Sequence, residues 1–217
     1  MHRCPEIVLP CLDEEEALPA VLKRLPADWP VLVVDNGSTD ATADVARAHG
    51  ARVVVEPRRG YGAAVHTGLV NAEADLVAFL DGDGSLDPDV LPGMAETVMD
   101  GRADMAVGRR IPDTAGVWPW HARAANSVIA AMLRGKGVPV HDIAPIRVAH
   151  RKALIDLQIE DRAFGYPLEL LIKAGAAGWT FDEIPVAYSR RAGGRSKVSG
   201  SVKGTFRAAR DMTGLLR

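Results

Sequence analysis

The sequence predicts an α/β fold: one mostly parallel sheet covered by helices on both faces. Three observations carry this. Apolar runs of four or five residues recur at 6–9, 30–34, 51–55 and 76–80, lengths that suit strands rather than helices. Stretches long enough for helices lie between or after them, at 14–25, 41–49, 62–72 and 90–99, and such alternation builds βαβ units. Each apolar run is followed by a polar or glycine-rich segment, and in parallel sheets ligands bind at the carboxyl ends of the strands.

The first run, Glu6-Ile7-Val8-Leu9, leads into Pro10-Cys11-Leu12-Asp13-Glu14-Glu15. The second, Pro30-Val31-Leu32-Val33-Val34, is rich in β-branched residues and ends at Asp35. Gly37 then permits a positive φ, and Ser38, Thr39 or Asp40 can cap the helix over 41–49. The third run, 51–55, is followed by Arg58-Arg59-Gly60-Tyr61-Gly62, and the fourth, 76–80, by Asp81-Gly82-Asp83-Gly84-Ser85. Residues 105–107 make a fifth strand. The second half is less regular. A helix is expected over 122–133, an extended segment over 140–148, a helix over 166–177 and a strand pair or extended segment over 179–188. Residues 189–204, rich in Gly, Ser, Arg and Lys, read as a mobile loop. In 201–217, Val202, Phe206, Ala209, Met212 and Leu216 share one helical face and Lys203, Arg207, Arg210 and Arg217 the next. Such a basic amphipathic helix suits either an anionic membrane surface or packing on the domain. With no repeat or linker, the expectation is a single domain over 1–217: a nucleotide and metal half to about residue 110, an acceptor half over about 111–200, then the terminal helix.

Composition narrows the function. The chain has 217 residues, 47% hydrophobic and 25% charged, with a formal net charge of −2, which gives no reason to expect a nucleic-acid partner. Its two cysteines, Cys4 and Cys11, have no Cys or His at zinc-ligand spacing and read as free thiols of a reducing compartment. No signal peptide is visible and no apolar run approaches ~18 residues. The expected location is therefore cytoplasmic, with peripheral contact at the inner face of the membrane through the C-terminal helix.

The chemistry concentrates at the expected strand ends. Asp81 and Asp83, one residue apart on extended backbone, point the same way. Their carboxylates can grip a hard cation, Mg²⁺ or Mn²⁺, which is commonly shared with substrate phosphates. Alone, the pair also fits a solvated turn; four polar strand ends on one sheet edge weigh for the metal. Asp35 can accept hydrogen bonds from a base or a ribose hydroxyl. Gly60 and Gly62, opening a helix, suit a phosphate, although the run is neither a Walker A loop nor a full G-x-G-x-x-G. Arg190, Arg191, Arg195, Ser196 and Lys197 surround two glycines and fit a phosphate clamp as well as a solvated loop. His141 beside Asp142 reads as a packing or capping histidine. No Ser/His/Asp or Cys/His set is spaced for nucleophilic catalysis.

Together these residues resemble the family 2 glycosyltransferases of the GT-A fold, a Rossmann-like α/β architecture, and within them the polyprenyl-phosphate sugar synthases similar to dolichol-phosphate mannose synthase. The resemblance runs from about residue 5 to 203. Pro10 to Glu15 stand where the family has P-x-Y-N-E-E, Val34 to Asp40 where it has V-D-D-G-S-x-D, and Arg59 to Gly62 where it has N-x-G-x-G. Asp81-Gly82-Asp83 is the metal motif. Gly108-Arg109-Arg110 matches G-S-R, with Arg123 and Asn126 at the expected distance. Glu183 to Val186, with Arg191 and Gly194 to Lys197, matches E-x-P-V…R-x-x-G-x-S-K. The resemblance implies that Pro10, Leu12, Glu14, Asp35 and Asn36 hold the nucleoside. Asp81 would sit near ribose and metal, Asp83 would be the principal metal ligand and Ser85 a further one. Arg110 and Arg123 would neutralise donor or acceptor phosphates, and Arg191, Ser196 and Lys197 would close over the diphosphate. Two departures stand out: Leu12 replaces an aromatic, and residues 142–147 are one residue shorter than D-x-x-S-G-F-R.

The expected activity is metal-dependent, inverting transfer of a hexose from a UDP- or GDP-linked sugar to an acceptor, foremost a lipid phosphate. A hydroxyl acceptor would need a carboxylate base, for which Asp142 is the first candidate and Glu169 the second. A sugar-phosphate nucleotidyltransferase and a non-catalytic nucleotide-sugar sensor are the alternatives from other classes.

Overall fold

The computed structural model describes residues 4–193. Ser196, Lys197 and the helix expected over 201–217 lie outside them. In chain order the elements are β1 (Glu6–Cys11), α1 (Leu18–Arg24), β2 (Val31–Asp35), α2 (Thr42–Ala48), β3 (Arg52–Val55), α3 (Tyr61–Asn71), β4 (Leu76–Phe79), a 3-10 turn (Pro88–Val90), α4 (Leu91–Met99), β5 (Met105–Pro112), α5 (Trp120–Gly135), β6 (Arg147–His150), α6 (Arg151–Asp156), α7 (Tyr166–Ala176) and β7 (Phe181–Tyr188).

The strands form one seven-stranded sheet in the order β3-β2-β1-β4-β6-β5-β7. All neighbours run parallel except β6, which is antiparallel to both β4 and β5. Strand periodicity sends alternate residues to opposite faces. Val8, Leu32, Val34, Val77 and Phe79 meet α3, α5, α6 and α7 on one side. Ile7, Leu9, Val33, Leu76 and Ala78 meet α1, α2 and α4 on the other. Both cores are built mainly from buried Val, Leu, Ile, Ala and Met, and the Val, Leu, Ile and Met side chains are each worth roughly 1.5–3 kcal/mol on burial.

The first-half strands fall where expected within a residue or two. The helix expected from residue 14 begins only at Leu18, because residues 14–17 are turns held by Glu14 and its neighbours. Residues 140–146, expected to be extended, are mostly loop, and the strand itself is confined to Arg147–His150. Trp179 onward gives one long strand, β7, rather than a pair. None of the helices is long and apolar enough to cross a membrane, among the described residues.

Candidate active site

The carboxyl ends of β1, β2 and β4 bring four acids together. Cys11, buried at the tip of β1, reports them: burial first, then the negative charges of Glu14, Asp81, Asp35 and Asp83, push its thiol well above the usual range. Gly82 lies against this sulfur, where a Cβ would come within 2.5 Å of Cys11 Sγ. Only glycine therefore lets the two aspartates flank the β1 tip.

The loops carrying these acids are latched to one another. Asp13, in the left-handed region at φ 49°, accepts from the Thr39 amide at 2.7 Å, while its own amide donates to Ser38 Oγ at 2.9 Å. Glu15 Oε2 accepts from the Ala41 amide at 2.9 Å, and the Glu14 amide donates to Thr42 Oγ1 at 2.8 Å. Asp35 Oδ1 accepts from the Ser38 amide at 2.9 Å. Pro10 lies within β1, in register with Val34, and Leu12 follows it, half-buried.

Asp81 and Asp83 differ in surroundings. Burial, then the charge of Asp83, raise Asp81 to about 7, against the arginines 147, 110 and 191. Asp83 is a turn organiser: its Oδ1 accepts from the Ser85 amide at 2.9 Å and its carbonyl from the Ala192 amide at 2.9 Å. Its Oδ2 faces Arg191 Nη1 at 3.2 Å, and Arg191 Nη2 also pairs with Glu14 Oε1. An arginine thus bridges the β1 and β4 acids. Ser85 is buried, with its carbonyl accepting from the Ser189 amide at 2.8 Å. The two aspartates fit a divalent cation by charge and crowding. Among the described residues no group of three or more His, Cys, Asp or Glu gathers to hold one, so a metal here would complete its shell from a ligand's oxygens.

Beyond β5 lies a cavity of about 610 Å³ lined by Arg109, Arg110, Arg123, Arg134, Trp118 and Asp142, among others. Arg110 is fixed in it. Its Nε and Nη2 reach the two oxygens of Asp142 at 2.8 and 2.7 Å, its amide donates to Asp142 Oδ2 at 2.9 Å, and Trp118 covers the guanidinium at 4.1 Å. Asp142 is held in turn by Glu183, which accepts from the His141 and Asp142 amides and faces His141 Nδ1 at 2.7 Å. The Arg110 guanidinium also lies 5.6 Å from the Tyr188 ring, and Tyr188 bridges to Leu86 just after the turn of Asp83 and Ser85, so cavity and acid cluster adjoin.

Several expected roles change. Gly60 and Gly62 do not offer a phosphate cradle: the Gly62 and Ala63 amides donate to the carbonyls of Ala163 and Arg162 at 2.9 Å. A Cβ on Gly60 would come within 2.4 Å of the Arg162 carbonyl, so these glycines serve close packing. The Asn36 amide is spent on structure, donating to the carbonyls of Glu56 and Arg58 at 3.0 and 2.8 Å and accepting from the Gly60 amide at 2.9 Å. Asp142 is no free base, because both oxygens carry Arg110. Glu169 binds the Glu160 and Asp161 amides and Lys173. Burial alone would raise its pKa, yet the hydrogen bonds from Lys173 and those amides bring it below the ordinary value.

Arg147 and Tyr61 were not singled out as site residues by the sequence. Arg147, fully buried at the start of β6, donates from Nη2 to the Tyr61 hydroxyl at 3.1 Å, and burial, then the negative charge of Asp81, push that hydroxyl's pKa up. Among the described residues, Arg147 Nε and Nη1 have no hydrogen-bond partner. The signal for Arg147 was its place at the arginine of D-x-x-S-G-F-R, where the resemblance gave it no role.

Comparison with known proteins agrees with this architecture. Residues 6–157 match the model of glycosyl transferase family 2. The chain is 54% identical over 206 residues to an uncharacterized glycosyltransferase of Mycobacterium tuberculosis, covering 94% of each. It is 33% identical over 218 residues to the polyprenol monophosphomannose synthase of Mycolicibacterium smegmatis, covering 90% of this chain and 81% of that one. Glucosyl-3-phosphoglycerate synthase from M. tuberculosis, solved with Mn²⁺, UDP and glucosyl-3-phosphoglycerate, matches at a TM-score of 0.78 and 23% identity, over 99% of this chain and 79% of that one. At that identity the likeness concerns the fold. Strand order, clustered acids and family match converge: the chain is a glycosyltransferase of family 2, built on the GT-A fold.

Proposed function

We propose that this enzyme transfers a hexose, with inversion, from a UDP- or GDP-linked sugar to an acceptor phosphate, foremost a polyprenyl phosphate, using Mg²⁺ or Mn²⁺ at Asp81 and Asp83. The observation that supports this best is the arginine-lined cavity beside the acids, which holds Arg109, Arg110, Arg123 and Arg134. Such a lining suits an anionic acceptor, since guanidinium groups bind phosphate oxygens in forked pairs. One comparison protein, by its name a polyprenol monophosphomannose synthase, supports the lipid-phosphate acceptor, and another, a glucosyl-3-phosphoglycerate synthase solved with Mn²⁺ and UDP, supports the metal and the nucleotide only.

The nucleotide half of the reading extends to about residue 110 and the acceptor half to about 200. Glu14 and Asp35 would meet the nucleoside, with Pro10 and Leu12 flanking it. When bound, a divalent cation neutralises the diphosphate as it departs. Arg191 pairs with Glu14 and Asp83 and would turn to the diphosphate, as would Ser196 and Lys197 after it. The acceptor oxygen forms its bond to the anomeric carbon as the bond to the diphosphate breaks on the opposite side. A phosphate acceptor is already ionised at neutral pH and needs no base. That matches a structure in which both candidate bases, Asp142 and Glu169, are engaged. Arg110, anchored by Asp142 and Trp118, would hold the acceptor oxygen in line.

Incubating the enzyme with Mn²⁺, UDP-glucose or GDP-mannose and a short polyprenyl phosphate in detergent should yield a polyprenyl-phosphate sugar. Efficient transfer to a soluble hydroxyl acceptor, with none to the lipid phosphate, would reject the acceptor assignment.

A further inference from the structure

The carboxylates first in line to take a proton are engaged, yet the arginine-lined cavity holds one more basic group. His141 lines it beside Arg110 and Arg123. Its side chain is 54% exposed, whereas that of its partner Glu183 is 11% exposed. Glu183 Oε2 faces His141 Nδ1 at 2.7 Å. The other carboxylate oxygen, Oε1, accepts from the His141 and Asp142 amides at 2.5 and 3.2 Å. One oxygen therefore caps the turn before β6. The second is left for the imidazole, which the cap does not need.

A carboxylate on Nδ1 fixes the tautomer of a neutral histidine. Nδ1 donates to Glu183, and the lone pair lies on Nε2. Among the described residues, none hydrogen-bonds Nε2. A half-exposed imidazole, oriented by a largely buried carboxylate and open at Nε2, has the arrangement of a general base with its orienting group. Its place fits that work. The next residue, Asp142, holds Arg110 through both oxygens, and Arg110 is the cation assigned above to the acceptor oxygen. Transfer to a phosphate leaves the pair without a task, since an ionised phosphate oxygen has no proton to give up.

We propose that His141 and Glu183 form a general-base dyad, which lets the enzyme transfer the hexose to a hydroxyl oxygen as well as to a phosphate. As the hydroxyl oxygen bonds to the anomeric carbon, the bond from that carbon to the diphosphate breaks, and the hydroxyl proton passes to His141 Nε2. The Glu183 carboxylate offsets the charge of the imidazolium, which then releases the proton to solvent from its exposed edge. Water is the smallest acceptor of this class, and polyols are larger ones. His141 is the catalytic residue and Glu183 a positioning residue. The dyad rests on the donor half of the function proposed above and not on its acceptor.

The test incubates the full chain with Mn²⁺, UDP-glucose or GDP-mannose, and glycerol in water, without lipid. The wild type should release free hexose and form a glyceryl hexoside of inverted anomeric configuration. His141→Ala should lower the sum of these products at least about 100-fold, and free imidazole should restore them in part by filling the vacated space. His141→Gln keeps a donor for Glu183 and leaves no such space, so it should show the loss without the rescue. Glu183→Gln, whose amide oxygen can still cap the turn, should lower kcat for transfer to glycerol and leave its KM. Neither product from the wild type, or undiminished products from His141→Ala, overturns the proposal. A loss that imidazole fails to restore, or one shared equally by transfer to polyprenyl phosphate in detergent, also overturns it by making His141 an anchor for Arg110; a Glu183→Gln effect confined to KM does the same. Hydroxyl products that depend on His141, with no transfer to polyprenyl phosphate, would uphold the dyad and reject only the phosphate acceptor.

Discussion

Arg147 shows how this site separates stability from function at the level of one residue. A fully buried guanidinium whose hydrogen-bond partner among the described residues is one phenol carries a desolvation cost that packing does not return. Methionine has similar volume and no charge, so Arg147→Met should leave the melting temperature unchanged or raised while turnover falls at least about tenfold. A drop in stability matching the drop in activity would make Arg147 merely structural. Asp81 has the opposite pH signature from a paired acid. Its folded pKa of about 7 lies above the unfolded carboxylate value. Its protonated form suits the fold, and ionisation removes stability as pH rises from about 4 toward 7. Asp81→Asn should therefore raise the melting temperature more at pH 8 than at pH 5, by roughly 2–4 °C for each kcal/mol relieved. Equal shifts at both pH values would contradict the crowding of Asp81 by Asp83. Sequence made the paired acids visible because spacing alone sets their direction. It placed Arg147 at the end of a family motif but not its burial or its partner, because a buried cation is recognised by what lies across the sheet.

At the scale of elements, the site depends on loops held by side chains that touch no substrate. Asn36 ties the end of β2 to the segment before α3 through three hydrogen bonds. Asn36→Ala should cost about 2–4 kcal/mol, counting roughly 1 kcal/mol per bond, in denaturant unfolding; a loss under 0.5 kcal/mol would show that the loop is held by packing alone. Glu183 performs a similar task through His141 and Asp142, and so fixes Arg110 at one remove. The glycines opening α3 were legible as obligatory but not for what they do. Their sequence fits a phosphate loop, and only the approach of the 162–163 backbone shows those amides already taken.

For the whole molecule, the first half was readable in order because each strand–helix unit there is local and all the strands run parallel. The second half was harder: β6 enters between β4 and β5 against their direction, a pairing fixed by contacts between residues some seventy positions apart. The six-residue α6 follows it with no cap or loop to announce a helix. The sheet order also explains why one edge collects the chemistry, since β1, β2 and β4 lie side by side and deliver their acids together. Calorimetric titration of UDP and GDP into the wild type and Asp83→Asn, each with and without Mn²⁺, tests this convergence most directly. The wild type should bind one of the nucleotides at least about tenfold more tightly with the metal, and Asp83→Asn should lose that gain while still melting cooperatively. A variant that keeps the full metal-dependent affinity would contradict a cation held between these strand ends and the donor's diphosphate.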